Sequence, residues 1–269
     1  MKPNWTLRLL ALLPLLPLTL SAQNADIRLG DDAYHLLDRA DIKGWTKQPL
    51  WTGVGPIGYD RAAEWLSKVD TNALEKRDKQ WLHRVRWRLD DEYATTRDRG
   101  FLRIFWRNKR DMLHYQTDKD AKVPFKVFVN PIVDLQLGME SNDVDPDAQT
   151  LFTNTRGASV RGSLFGKLGF YTEFMDNQMF TPQYVQNYVG RTGAVPGEGY
   201  WKQFGDDNSG YDFFRSRGYL TYSPIDNIRL KFGRDNGFIG NGQQSMFMSD
   251  HAVEHLYLSY DIRFWKIQY

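Results

Sequence analysis

The chain has 269 residues, with 35 Lys and Arg against 33 Asp and Glu, a formal net charge of +2 and no Cys. The near balance of charge disfavours nucleic acid as a partner, because a surface that follows phosphates needs an excess of basic residues. The lack of Cys excludes disulfides, thiolate metal sites and a lipid anchor on Cys. The aromatic content of 14% is typical of exported carbohydrate binders and outer-membrane barrels.

The first 22 residues have the composition of a secretory signal peptide. Lys2 and Arg8 supply positive charge, an apolar run extends from Leu9 to Leu20, and the small residues Ser21 and Ala22 allow cleavage after residue 22. An uncleaved anchor is the alternative, but the run is shorter than the about 20 residues that span a bilayer. We therefore predict a cleaved signal at 1–22 and an exported protein.

Residues 23–122 are predicted to form a helical periplasmic region. The segment "DKQWLHRVRWRLDDEYA" spaces Trp81, Val85 and Leu89 at steps of three and four residues, which is the pattern of a helix with one apolar face. Asp32 and Asp60 are predicted N-caps of two earlier helices.

From residue 123 to 269 the period changes to two, which predicts β-strands. The segments "FKVFVNPIVDLQLGM", "GASVRGSLFG", "KLGFYTEFMDN", "FRSRGYLTYS", "IRLKFGRD" and "HLYLSYDI" alternate apolar and polar residues, and "RFWKIQY" continues the pattern with Trp265, Ile267 and Tyr269 on one face. A soluble β-sandwich would also alternate. The long strands, the aromatic residues near strand ends and the alternation of short with long connections favour an antiparallel outer-membrane β-barrel.

The polar faces of these strands carry charges that a barrel would turn away from lipid. We predict that they find acidic partners inside. The basic residues are Arg215, Arg217, Arg229 and Lys231, with Glu173 and Asp176 as nearby acids.

The stretch "FGRDNGFIGNGQQSMFMSD" is rich in glycine, but it lies between two predicted strands, so it does not fit the strand–helix context of a dinucleotide site. We predict a structured segment at the barrel rim or inside it, in which Arg234 and Asp235 could pair. The motif residues are Arg234, Asp235, Gly237, Gly240, Asn241 and Gly242.

The long connection "AVPGEGYWKQFGDD" contains Glu198, Tyr200 and Trp201. Aromatic faces stack on sugar rings and carboxylates accept hydrogen bonds from hydroxyls, so these residues are candidates for binding polysaccharide. The alternative is that the aromatic pair packs the loop onto the barrel. Glu173, Asp176 and Glu198 could also supply a glycosidase pair, if the fold brought two of them to the required separation. No metal site and no cofactor are predicted.

Seven segments in sequence order resemble the Wzi-like family of capsule-assembly proteins, and within it the RemB-like gliding-motility branch. The segments are "YHLLDRADIKG", "VNPIVDLQLG", "NTRGASVRG", "GFYTEFMDNQ", "AVPGEGYWKQFG", "SRGYLTYSP" and "FGRDNGFIGNGQQSMFMSD". The resemblance implies an outer-membrane barrel preceded by a helical periplasmic portion, with a role in retaining capsular polysaccharide or in gliding. It implies no catalytic residues and assigns no polysaccharide contacts.

Family members are considerably longer than this chain and have more strands after the glycine-rich segment. The sequence predicts about seven strands, whereas bacterial single-chain barrels use even numbers from about 8 upward. We therefore expect the N-terminal half of a larger barrel. The alternative is a complete small barrel, because Trp265, Ile267 and Tyr269 imitate the aromatic end of one. The leading function is non-enzymatic binding or organisation of surface polysaccharide; the alternatives are a motility or secretion component with protein partners and a secreted glycan-active enzyme.

Overall fold

A computed structural model describes residues 25–95, 110–117, 121–141, 149–205, 210–225, 227–242, 244–264 and 267–268. The predicted signal at 1–22, and the predicted strand positions Trp265 and Tyr269, lie outside the described residues. The described chain consists of a helical part followed by a large antiparallel sheet.

The helical part is built from four α-helices and one short 3-10 helix within the described residues. These are α1 (Asp32–Ile42), α2 (Tyr59–Ser67), the 3-10 helix Thr71–Ala73, α3 (Lys76–Leu89) and α4 (Asp91–Thr95). The apolar positions spaced at three and four residues meet in one core, whose fully buried members include Leu36, Leu37, Leu66 and Val85. None of the helices in the described ranges has the length and apolar character needed to cross a bilayer.

Both predicted N-caps are wrong by a short distance. Asp31, not Asp32, caps α1, because its side chain accepts a hydrogen bond from the amide of Ala33. Helix α2 begins at Tyr59 after Gly58, so Asp60 lies inside the first turn. An acidic residue in either place faces the free amides at a helix start, and sequence alone does not separate the two positions.

The strands form one sheet in the order β11-β10-β8-β7-β5-β4-β3-β2, with β6 paired to β7. Their bounds are β2 (Leu113–Gln116), β3 (Phe125–Glu140), β4 (Gln149–Leu164), β5 (Leu168–Phe180), β6 (Trp201–Phe204), β7 (Gly210–Ile225), β8 (Ile228–Asp235), β10 (His255–Phe264) and β11 (Ile267–Gln268). A separate pair consists of β1 (Val54–Gly55) and β9 (Phe238–Ile239). The predicted antiparallel β architecture with an N-terminal helical part is confirmed.

Short and long connections alternate at the two ends of the sheet, as predicted. β4 and β5 meet at the pair Leu164↔Leu168, and β7 and β8 meet at Ile225↔Ile228. The tight turn between β4 and β5 is three residues long and places Phe165 and Gly166 at positive φ, as short hairpin connections often do. The opposite end carries the long connections, one of which contains the unpredicted helix α5 (Gln183–Thr192).

The edges of the sheet differ from the sequence prediction. β2 lies within the region predicted to be helical and pairs with β3, placing Leu113 opposite Val129. The last strand pattern does not continue straight to the end: β11 pairs back on β10, with Ile267 opposite Phe264. Within the described residues no pairing joins β2 to β11, so the described sheet has two edges.

Alternation along the strands separates two faces of opposite character. One face carries large apolar side chains that are exposed, such as Leu137 (87%), Leu256 (71%) and Leu258 (69%). The other face carries buried polar residues and lies against the helical part. Contacts between the two parts start near the short turns and extend to the middle of the strands, where the Tyr219 hydroxyl accepts a hydrogen bond from the backbone amide of Asp26.

Candidate functional site

A chain of buried ion pairs runs across the polar face of the sheet from β8 to β5. The Lys231 Nζ lies 2.7 Å from the Asp26 carboxylate and 2.8 Å from that of Asp235. The Arg217 guanidinium then joins Asp235 at 3.1 Å to Glu173 at 3.0 Å. Buried charges are stable only when they are paired and hydrogen-bonded, and each member of this chain has at least one partner of opposite charge.

Asp26 is the contribution of the N-terminal segment to this network. Its carboxylate also lies 2.6 Å from the Arg229 guanidinium, and its backbone amide donates a hydrogen bond of 2.8 Å to the Tyr219 hydroxyl. Burial acts to raise the pKa of Asp26, but the charges of Arg229 and Lys231 outweigh it and hold the pKa below its ordinary value. The segment before α1 is therefore fixed to β7 and β8 by charge.

A second ionic cluster joins the helical part to β4. The Arg161 guanidinium lies 3.3 Å from Asp91 in α4 and 3.3 Å from Asp111. It also sits 3.9 Å from the centroid of the Phe128 ring on β3, a cation–π geometry. Both clusters place charge between the sheet and the helical part, so these surfaces are bound to each other by polar contacts.

The prediction that the strand charges find acidic partners is confirmed for the four basic residues. Arg215 pairs with Glu198, and the other three pair as described above. Asp176 is the exception, because it lies three residues from Glu173 on the same strand and therefore faces the opposite side. There it forms an exposed pair with Arg156 at 3.0 Å.

The predicted polysaccharide residues Glu198, Tyr200 and Trp201 do not converge. Glu198 is buried, and both of its oxygens accept hydrogen bonds from the Arg215 guanidinium. Burial raises the pKa of Glu198, an effect that Arg215 partly offsets. Trp201 packs edge-to-face on Tyr211, 5.5 Å between ring centroids, whereas Tyr200 is 75% exposed. Trp201 thus fits the alternative in which it packs the loop.

Of the three carboxylates considered for hydrolysis, two are each bound to an arginine of β7 and the third lies on the opposite face of the sheet. Glu173 binds Arg217 and accepts a hydrogen bond of 2.7 Å from the Tyr171 hydroxyl. Asp176 lies on the other face, and Glu198 is held by Arg215. Asp176 therefore cannot form a glycosidase pair with Glu173 or Glu198, because the two carboxylates of a pair must flank one bond.

The glycine-rich stretch docks onto the helical part. Its strand β9 pairs with β1 in the loop before α2, and the Gly240 amide donates a hydrogen bond of 2.9 Å to the Gly53 carbonyl. A Cβ at Gly53 would lie 2.4 Å from the Asn241 side-chain oxygen, so a larger residue at 53 would displace that amide. The stretch is structured, as predicted, and its turns hold two parts of the fold together.

Arg234 and Asp235 do not pair with each other, contrary to the hypothesis drawn from their sequence. They are consecutive residues of β8, so their side chains leave opposite faces of the sheet. Asp235 is 2% exposed in the ionic chain, whereas Arg234 approaches Glu254 at 3.9 Å. Gly237 and Gly242 follow in the same docked stretch; a Cβ at Gly237 would lie 2.4 Å from the Met248 sulfur.

A cavity of about 360 Å³ lies between the helical part, the docked glycine-rich stretch, β8 and β10. Its lining includes Trp51, Asp60 and Arg61 from the helical part, and His255 and Ser259 from β10. The volume lies within the range of about 300–1,000 Å³ that holds small ligands. The sequence analysis missed Trp51 and did not consider Asp60 for binding; the glycine- and proline-rich segment "WTGVGPIGYD" between them was the available signal.

Asp60 is the least compensated acid of this cavity. Within the described part of the chain its carboxylate accepts a hydrogen bond of 2.8 Å from the amide of Arg61 and forms no ion pair. Burial raises the pKa of Asp60, and the nearby charge of Arg229 lowers it by less. The described residues contain no group of three or more His, Asp or Glu side chains that could hold a metal ion.

Comparisons with protein-family models, curated proteins and solved structures found no match to this chain.

Proposed function

We propose that this protein is a non-enzymatic outer-membrane β-barrel protein that binds or organises surface polysaccharide. The observation that carries the membrane part is the exposed apolar face of the sheet, which continues from β3 to β10. Soluble monomers rarely expose contiguous apolar patches larger than a few hundred Å². Strands whose outer face is apolar and whose inner face is charged suit a wall between lipid and a polar interior.

A second part of the proposal concerns the two edges of the described sheet. β2 and β11 each pair on one side within the described residues. Hydrocarbon offers no hydrogen bonds to an unpaired strand edge, so a membrane sheet must be closed. We therefore propose that the described strands form part of a larger barrel that further strands complete.

The role in polysaccharide binding rests on the resemblance to the Wzi-like capsule-assembly family. A motility or secretion component with protein partners is the competing role within the same membrane proposal.

The membrane proposal is tested with the full chain purified from outer membranes. We expect the unboiled and the boiled samples to migrate differently in gel electrophoresis, because a folded barrel stays folded in detergent until it is heated. The boiled sample of the same preparation is the control. Identical migration of both samples would contradict the barrel.

The polysaccharide role is tested in a deletion strain complemented with the wild-type gene. We expect surface polysaccharide to be released into the medium by the deletion and retained after complementation. Loss of surface spreading with full retention of polysaccharide would favour the motility role instead.

A further inference from the structure

Most of the charged groups around the 360 Å³ cavity, which Arg263 also lines, are paired with one another. Arg61 lies 2.9 Å from Asp261, and Arg229 lies 2.6 Å from Asp26. Lys231 is shared between Asp26 and Asp235. At Arg61, Arg229 or Lys231 a ligand carboxylate or phosphate would have to displace one of these internal acids, so these three basic groups do not favour an anionic ligand.

Two lining groups remain available for a ligand. Trp51 is 44% exposed, so a large part of its side chain is free to contact another molecule. Asp60 forms no ion pair within the described residues, and one amide hydrogen bond leaves most of its acceptor capacity unused. A hydroxyl group satisfies such a carboxylate without bringing a charge into the cavity.

An aromatic ring and a carboxylate acceptor together suit a sugar. The ring face of Trp51 can stack on the apolar face of a pyranose, and the Asp60 carboxylate can accept hydrogen bonds from its hydroxyl groups. Ser259 and His255 add further polar groups from β10. We propose that this cavity binds an uncharged saccharide unit, with Trp51 as the stacking platform and Asp60 as the hydroxyl acceptor.

This inference rests on the proposed polysaccharide function and names its binding site and sugar class. The proposed site is not the loop that contains Trp201, because the Trp201 ring is packed on Tyr211. The proposal also distinguishes an uncharged sugar from a uronic acid, because Arg61, Arg229 and Lys231 are engaged with internal acids.

The test uses the full-length protein in detergent and the surface polysaccharide extracted from the producing strain. The polysaccharide is titrated in its native form and after chemical reduction of its carboxyl groups to alcohols. The variants are Trp51→Ala and Asp60→Asn. Their matched controls are Tyr184→Ala, an exposed aromatic residue on α5, and Asp38→Asn, an exposed acid on α1. Trp201→Ala tests the rival loop.

We expect Trp51→Ala and Asp60→Asn each to weaken binding about tenfold, with both control variants unchanged. Carboxyl reduction should leave the affinity of the wild-type protein the same. The mobility shift on boiling is measured for every variant, and Asp60→Asn, which preserves side-chain size, keeps the test valid if Trp51→Ala does not fold.

The possible failures have separate meanings. Normal binding by both Trp51→Ala and Asp60→Asn, with loss in Trp201→Ala, would overturn the cavity site and leave the proposed function standing. Loss of binding on carboxyl reduction would overturn the uncharged-sugar class. No binding by the wild-type protein would contradict the polysaccharide function itself, and the cavity site with it.

Discussion

The helical part and the sheet bury opposite kinds of residue. In α1, Leu36 and Leu37 are fully buried, and the helical part surrounds this core with charged residues, as a protein in water does. In the sheet, Asp235 and Lys231 are 2% and 5% exposed, whereas Leu137 is 87% exposed. A buried charge and an exposed apolar face are the informative exceptions to ordinary burial. The difference is the one that the proposed membrane location predicts, with the helical part in water and the outer face of the sheet against lipid.

The largest expected effect comes from breaking the buried ion chain. Arg217→Met would leave Glu173 and Asp235 without their guanidinium partner, and removing one member of a buried pair costs about 3–5 kcal/mol. The matched control is Arg156→Met, which removes the exposed pair with Asp176 on the outer face. An exposed pair contributes about 0–1 kcal/mol. Free energies of unfolding in detergent measure both.

Equal destabilisation by Arg217→Met and Arg156→Met would contradict the assignment of an inner and an outer face. A further check is the double variant Arg217→Met with Glu173→Gln. It should recover part of the loss, because the uncompensated carboxylate is removed.

The second effect tests the ordinary core of the helical part. Leu37→Ala should lower the free energy of unfolding by about 2–5 kcal/mol, because it leaves a cavity among fully buried neighbours. Ile42→Ala in the same helix should change it by less than about 0.5 kcal/mol, since Ile42 is 84% exposed. Ile42 is the last residue of α1 and lies beyond the core. Thermal unfolding followed by far-UV circular dichroism compares the two variants.

The third effect tests the outer face of the sheet. Leu230→Arg should impair assembly by about 2–4 kcal/mol if this face meets the middle of a bilayer. A surface in water would tolerate the same change within about 0.5 kcal/mol. Leu230→Val serves as the control, and the folded fraction is measured from the unboiled band after refolding into lipid vesicles. A normal folded fraction for Leu230→Arg would remove the lipid-facing assignment.

Local periodicity explains which parts of the fold were predictable. The sixteen-residue strand β3 alternates apolar and polar residues except at Phe128 and Ile132, so its two sides follow from the sequence. Helix α3 follows from its three- and four-residue spacing. Helix α5 was missed because its sequence lies in a stretch read as a long connection between strands, and β2 because its four residues are too few to establish a period.

The candidate site was predictable only in part, because its contacts connect distant parts of the chain. Asp26 and Arg229 are separated by 203 positions, and no local pattern relates them. The basic residues of β7 and β8 were found because alternation places them on the polar face. Periodicity does not determine how the helical part docks on the sheet. That docking brings Asp26 to Arg229 and Lys231, and it places Trp51 and Asp60 in one cavity with β10.

The smallest effect is a pH dependence at the junction between the two parts. Burial alone would raise the pKa of Asp26, but Arg229 and Lys231 bring it below its ordinary value of 3.8. A carboxylate with a lowered folded-state pKa stabilises the fold fully above its unfolded pKa and loses that contribution as the pH falls through the folded-state pKa. Each unit of lowering corresponds to about 1.4 kcal/mol. Arg229 and Lys231 remain protonated throughout this acidic range.

We therefore expect the difference in unfolding free energy between wild type and Asp26→Asn to stay constant from pH 7 down to about 4 and to shrink at lower pH. Denaturant unfolding in detergent, followed by Trp fluorescence, measures this difference. Asp38→Asn is the control, because Asp38 is exposed on α1 and its replacement should give no such dependence. A difference that grows as the pH falls would mean that the Asp26 carboxylate is protonated more readily in the folded protein, and the charge-based attachment of the N-terminal segment to β8 would be wrong.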